Sequence, residues 1–163
     1  MLRMNADGTA PTDNPFDVLD GTWGPYIWAI GLRNPFNFAV QPGGLIFVND
    51  VGENAWEEIN QLAEGANYGW PITEGPTSIV GQTTPLYSYA NEGGAACSIT
   101  GGAFYNPSVV QFPVDYVGTY FYADYCGDQR PENHRIAWNN CALKLRMCWK
   151  DAGISQAATG SSS

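Results

Sequence analysis

Apolar and polar residues run in short stretches, broken by clusters of Gly, Pro, Asn and Asp, the pattern of strands joined by tight turns. Phe38-Ala39-Val40 and Leu45-Ile46-Phe47-Val48 flank Gln41-Pro42-Gly43-Gly44. The cluster supplies turn dihedrals between two β-favouring runs, so a hairpin is expected over residues 38–48. A third strand is expected over residues 57–62, ending at Glu64-Gly65, with others over 86–89, 99–105 and 118–125. All are short and antiparallel in style. They suit a β-sandwich or the blades of a β-propeller, and periodicity alone does not choose between the two.

Composition narrows the classes. The 163 residues are 44% hydrophobic, 13% aromatic and 14% charged, with 19 Gly and 11 Pro. A long-helix protein needs more Ala, Glu, Lys and Leu, and a disordered chain does not carry this many aromatic rings. The net charge of −9 disfavours a phosphate-backbone partner, so no nucleic acid is expected. No apolar run reaches the roughly 18 residues of a membrane span. Met1-Leu2-Arg3-Met4-Asn5 is too polar for a signal peptide, and Asn5-Ala6-Asp7-Gly8 reads as a turn, so the chain is expected to start inside a domain.

Charge divides the chain. Residues 1–128 hold 14 acidic residues against two basic ones, Arg3 and Arg33, whereas residues 129–163 hold five basic and two acidic. The first part also carries 17 of the 19 Gly and 20 of the 22 aromatics. The expected organisation is a folded domain over 1–127 and an aberrant or disordered tail over 128–163, as if the coding frame were lost after Gly127. Within the tail, residues 139–150 have the pattern of a short helix.

Arg33 is the sole basic residue between Arg3 and Arg130. In acidic surroundings a guanidinium either pairs with a neighbouring carboxylate or grips an anionic ligand through two parallel donors. Asn34, before Pro35, suits a turn. Glu57 and Glu58 point to opposite faces of a strand, which spoils a glycosidase pair; the plain expectation is one exposed and one rim carboxylate. The single histidine, His134, lies in the tail, so no Ser-His-Asp arrangement and no catalytic residue are assigned. Cys97 and Cys126 flank the strands of 99–125; joining them would close a loop of about 30 residues, worth about 3–4 kcal/mol, and would fit an oxidising compartment. Trp28, Trp56, Trp70 and the tyrosines of 120–125 suit packing between blades better than a sugar-stacking platform.

Ile27-Trp28-Ala29-Ile30-Gly31-Leu32-Arg33-Asn34-Pro35, then Asn49-Asp50-Val51-Gly52-Glu53-Asn54-Ala55-Trp56-Glu57-Glu58-Ile59-Asn60 and Asn67-Tyr68-Gly69-Trp70-Pro71, resembles the soluble PQQ-dependent sugar dehydrogenases. Ser98-Ile99-Thr100-Gly101-Gly102 and residues 120–126 are similar to the next stretch of this glucose/sorbosone dehydrogenase group, which includes Hedgehog-interacting-protein-like domains. The resemblance covers about residues 1–127 and rests on several ordered motifs. It implies an all-β fragment, about two to three blades of a six-bladed propeller, since six blades of about 40–50 residues exceed this chain.

By the same resemblance, Arg33 and Asn34 would contact the quinone PQQ. Gly52 and Glu53 would offer carbonyls to a calcium ion, and Glu58 and Tyr68 would serve a second calcium. The sequence departs from the family pattern twice. Glu53 stands in place of a Pro, and Leu32 in place of a His. The catalytic base of the family's enzymes is a His from an earlier blade, which this chain lacks. The implied function is a partial sugar dehydrogenase-like domain, extracellular or periplasmic in its full-length form, with a sugar as substrate. The alternative is a non-catalytic, calcium-binding propeller that binds a protein or glycan.

Overall fold

The computed structural model describes residues 1–16, 22–91 and 98–125, with the backbone of 137–138 and 141–143. β1 (Pro35–Val40) and β2 (Ile46–Asp50) form the expected hairpin, closed by Gln41 N–H to Leu45 O at 2.7 Å and Gly44 N–H to Gln41 O at 2.9 Å. β3 (Trp56–Gln61) and β4 (Tyr87–Ala90) complete an antiparallel sheet in the order β1-β2-β3-β4. A second sheet holds β5 (Ile99–Phe104), β6 (Tyr120–Asp124), β7 (Ala137–Trp138) and β8 (Cys141–Leu143) in the order β5-β6-β8-β7. Leu143 pairs with Ala123 and Ala142 with Asp124, so part of the span read as a short helix is a strand. Among the described residues there is no α-helix, and none long and apolar enough to cross a membrane.

The two sheets are blades packed face to face. Phe47, Val51, Ile59 and Tyr89 of the first meet Ile99, Tyr120 and Tyr122 of the second in one buried cluster. Phe47 contacts Phe104 and Tyr120 with ring centroids 4.9 and 5.1 Å apart, tilted and edge-on, as aromatic quadrupoles prefer. Burying this apolar and aromatic surface is the main driving force for docking the sheets. Polar groups fix the register: Asn49 Nδ2 donates to Gly101 O at 2.6 Å, and Tyr120 Oη donates to Asn49 Oδ1 at 2.9 Å.

The other face of the first blade is treated unevenly. Val48, Asp50, Glu58 and Asn60 are buried on it. By contrast Phe36, Phe38 and Val40, alternating along the edge strand β1, are more than half exposed. Alternation on β3 sends Glu57 toward the second blade, where the Ile99 amide meets it, and Glu58 to the opposite face, where the Gly75 amide meets it, and both carboxylates are buried. The expectation of one exposed and one rim acid is therefore corrected. A strand sandwiched between two layers has no solvent face.

Candidate functional site

Residues 28–31 zip onto residues 65–70 and so carry Arg33 to the site. Gly65 N–H donates to Trp28 O (2.9 Å), Ile30 N–H to Ala66 O (2.9 Å), Tyr68 N–H to Ile30 O (3.0 Å) and Trp70 N–H to Gly31 O (2.9 Å). The crossing at Gly31 requires glycine. Its φ is 75°, and a Cβ there would lie 2.3 Å from Asn67 Oδ1 and 2.5 Å from Gly69 N. Leu32 packs on the buried cluster of Ala29, Ala66 and Tyr68.

Beyond Gly31 the chain turns over the end of β2. Asp50 holds the turn through both oxygens: Arg33 N–H reaches Oδ2 at 3.0 Å and Asn34 N–H reaches Oδ1 at 2.7 Å, while Val51 N–H returns a bond to Asn34 O at 3.0 Å. Burial pushes the Asp50 carboxyl up to about 6, against the lowering effect of the two amides. Asn34 itself is exposed.

The Arg33 guanidinium lies in a cleft with Asp50, Gly52, Glu58, Trp70 and Glu74. Its Nη1 donates to Gly52 O at 2.7 Å and Val51 O at 3.2 Å, and its carbon sits 5.5 Å from the centre of the Trp70 ring. Among the described residues no carboxylate forms an ion pair with it; the ion pair present joins Arg3 to Asp13. The expected alternative, an Arg33–carboxylate bridge, is therefore not formed with any described residue. Asp50 is spent on backbone amides instead. A cation held by neutral carbonyls and an aromatic face keeps charge to offer to an anion.

Glu58 and Tyr68 both line this cleft. Glu58 Oε1 accepts from Gly75 N–H at 2.5 Å and Oε2 from Asn60 Nδ2 at 3.0 Å. Burial raises its carboxyl above the usual range, with those two bonds opposing. The Tyr68 side chain serves the fold: its hydroxyl donates to Gln61 O at 2.5 Å and accepts from Ala63 N–H at 3.0 Å. Glu53 is exposed, with its N–H bound by Glu74. No cluster of three or more Asp, Glu, His or Cys side chains suited to a metal exists among the described residues. Any cation here must draw on carbonyl oxygens as well. Cys97 and Cys126 lie outside the described residues.

Sequence reasoning missed Glu74. Burial works to raise its carboxyl, but the amides of Trp56, Ala55, Asn54 and Glu53 outweigh it and hold the group below the ordinary value. Its one sequence signal is an acid between the Trp70-Pro71 turn and Gly75. The tryptophans also divide. Trp70 serves the arginine, and Trp28 takes the Arg3 guanidinium carbon at 4.3 Å from its ring centre.

The fold and sequence have known counterparts. The PQQ-bound form of an aldose sugar dehydrogenase from Streptomyces coelicolor superposes with a TM-score of 0.66 at 24% identity, over 96% of this chain and 36% of that one. At that identity the match speaks to the fold, and the two sheets are two blades of a β-propeller fragment. Among curated proteins, the HIPL1 protein of Arabidopsis thaliana is 33% identical over 142 residues, 72% of this chain and 19% of its own length. Quinoprotein glucose dehydrogenase B of Acinetobacter calcoaceticus is 38% identical over 96 residues, 59% of this chain and 18% of its own length. The chain thus spans about a fifth of these two relatives. Residues 1–117 match the sequence model of the Glucose / Sorbosone dehydrogenase family, and the chain belongs to that family.

Proposed function

We propose that this chain carries the quinone-side arginine cleft of a PQQ-dependent sugar dehydrogenase-like domain, in which the intact protein passes hydride from a sugar to the quinone. The observation that carries the reading is Arg33, a guanidinium without a carboxylate partner among the described residues, anchored by two carbonyls beside Trp70. When bound, PQQ supplies an electron-pair acceptor for the sugar's hydride. Arg33 would hold an anionic oxygen of the quinone through its remaining donors, and Asn34, exposed on the same turn, would add a polar contact.

The donor set also suits calcium, which takes carbonyl and carboxylate oxygens in flexible geometry. Gly52 and Glu53 would contribute backbone oxygens to one ion, and Glu58 with Tyr68 a carboxylate and a carbonyl to a second. A cation would relieve the desolvated Glu58 carboxylate, whose present partners are two neutral N–H donors. The oxidoreductase activity, the sugar, the extracellular or periplasmic setting and a Cys97–Cys126 disulfide belong to the same proposal for the intact protein.

Titrating the 163-residue chain with PQQ in calcium buffer, followed by tryptophan fluorescence, tests it. Saturable binding is expected, lost in Arg33→Ala and weakened in Arg33→Lys, which keeps charge but not the planar fork. Binding that survives Arg33→Ala would overturn the assignment. Turnover by this chain alone is not expected. A second reading, a non-catalytic propeller that binds a protein or glycan, is favoured by Leu32, an apolar side chain packed on the Ala29 cluster. A parent protein with no histidine in the blades before this segment would support it.

A further inference from the structure

Glu74 Oε1 accepts hydrogen bonds from four consecutive backbone amides: Glu53 at 2.8 Å, Asn54 at 3.1 Å, Ala55 at 2.9 Å and Trp56 at 3.0 Å. Successive amides converging on one point form a concave anion nest, filled here by the protein's own carboxylate. The loop enclosed in this way begins at Gly52, whose carbonyl receives Arg33 Nη1 at 2.7 Å. There is no slack at Gly52. A Cβ would lie 2.5 Å from Glu74 Oε1 and 1.6 Å from Trp56 O. The backbone that anchors the guanidinium is therefore located by a carboxylate 22 residues further along the chain.

Position 53 admits two ways of stiffening this loop, and they exclude one another. A proline fixes φ by its ring but has no N–H. Glu53 has an N–H, and it is the first of the four donors to Glu74.

We infer that Glu74 is a positioning residue for the Arg33–Gly52 pair, its carboxylate supplying by hydrogen bonds the rigidity that a proline at 53 would supply covalently. The clasp stands on geometry alone; its consequence for ligand binding rests on the quinone reading above.

Amide exchange and PQQ titration on the 163-residue chain separate the two. In Glu74→Ala the amides of residues 53–56 should exchange at least about tenfold faster while those of β2 and of residues 57–61 keep their protection, as for a local opening. Glu74→Gln, which keeps shape and one acceptor, should fall between, and it preserves the test if the alanine variant fails to fold. The dissociation constant for PQQ should rise about tenfold in Glu74→Ala, since hydrogen bonds to charged groups are among the stronger ones. Adding Glu53→Pro to Glu74→Ala should recover part of that loss, a rescue that a general loss of stability does not produce. Unchanged exchange at the four amides would overturn the clasp. Faster exchange with unchanged PQQ affinity would overturn the positioning role. If the unaltered chain binds no PQQ, the quinone reading falls and the positioning role with it, while accelerated exchange would still support the clasp.

Discussion

Tyr89 on β4 donates a hydrogen bond of 2.6 Å to Asp124 on β6, joining the two blades through a hydroxyl and a buried carboxylate. The Tyr89 ring also stacks on Tyr122, with centroids 6.1 Å apart. Apolar burial brings the sheets together, but this bond and the Asn49 pair give them a unique register.

Tyr89→Phe keeps the ring and removes the donor to a buried acid. Hydrogen bonds to charged groups contribute about 1.5–3 kcal/mol, so the variant should lose stability of that order. Denaturant unfolding followed by circular dichroism measures it. A loss no larger than that of an exposed control, Tyr125→Phe, would refute the role.

Glu57 makes blade docking sensitive to pH. Burial, with Asp124 nearby, pushes its carboxyl up from 4.5 to about 7, although the Ile99 amide at 3.0 Å opposes the rise. An acid with a raised folded-state value binds its proton more tightly when folded. Its contribution is fully present below about 4.5 and is lost as pH climbs through about 7. Midpoints of thermal unfolding should therefore fall across that window, and Glu57→Gln should flatten this part of the profile.

Gly31→Ala should be among the more damaging single changes. The left-handed φ and the backbone of residues 68–69 leave no site for a methyl group, and strain of about 1–3 kcal/mol adds to the steric cost. Because Gly31 adjoins the Arg33 turn, PQQ affinity should fall along with the melting temperature. A variant with unchanged melting temperature would contradict the packing described here.

The division at residue 127 can be tested by truncation. Removing 128–163 should leave the unfolding midpoint unchanged if the tail contributes nothing. A marked drop would assign stability to the pairing of β8 with β6.

The strands were legible because turn chemistry and β-branched or aromatic runs act locally. Gln41-Pro42-Gly43-Gly44 announces a hairpin whatever surrounds it. Adjacency on a strand also placed Glu57 and Glu58 on opposite faces. Their burial was not legible, because it depends on layers contributed by distant segments, Ile99 on one side and Gly75 on the other. Glu74 was hidden for a related reason. Its partners are backbone amides, which every residue but proline owns, so no side-chain pattern at 53–56 marks them. The Arg33 motif was readable through resemblance, whereas its lack of a carboxylate partner among the described residues emerged only from the three-dimensional placement of Asp50.

The bare stripe of Phe36, Phe38 and Val40 on an edge strand governs how this polypeptide behaves in the test tube. Such a surface on an outer strand should invite copies to adhere, strand against strand. Handling at micromolar dilution, or with a solubilising fusion, becomes a practical condition for the measurements proposed above. The yield of soluble material should then track whatever shields that border more closely than it tracks the strength of the inter-blade core.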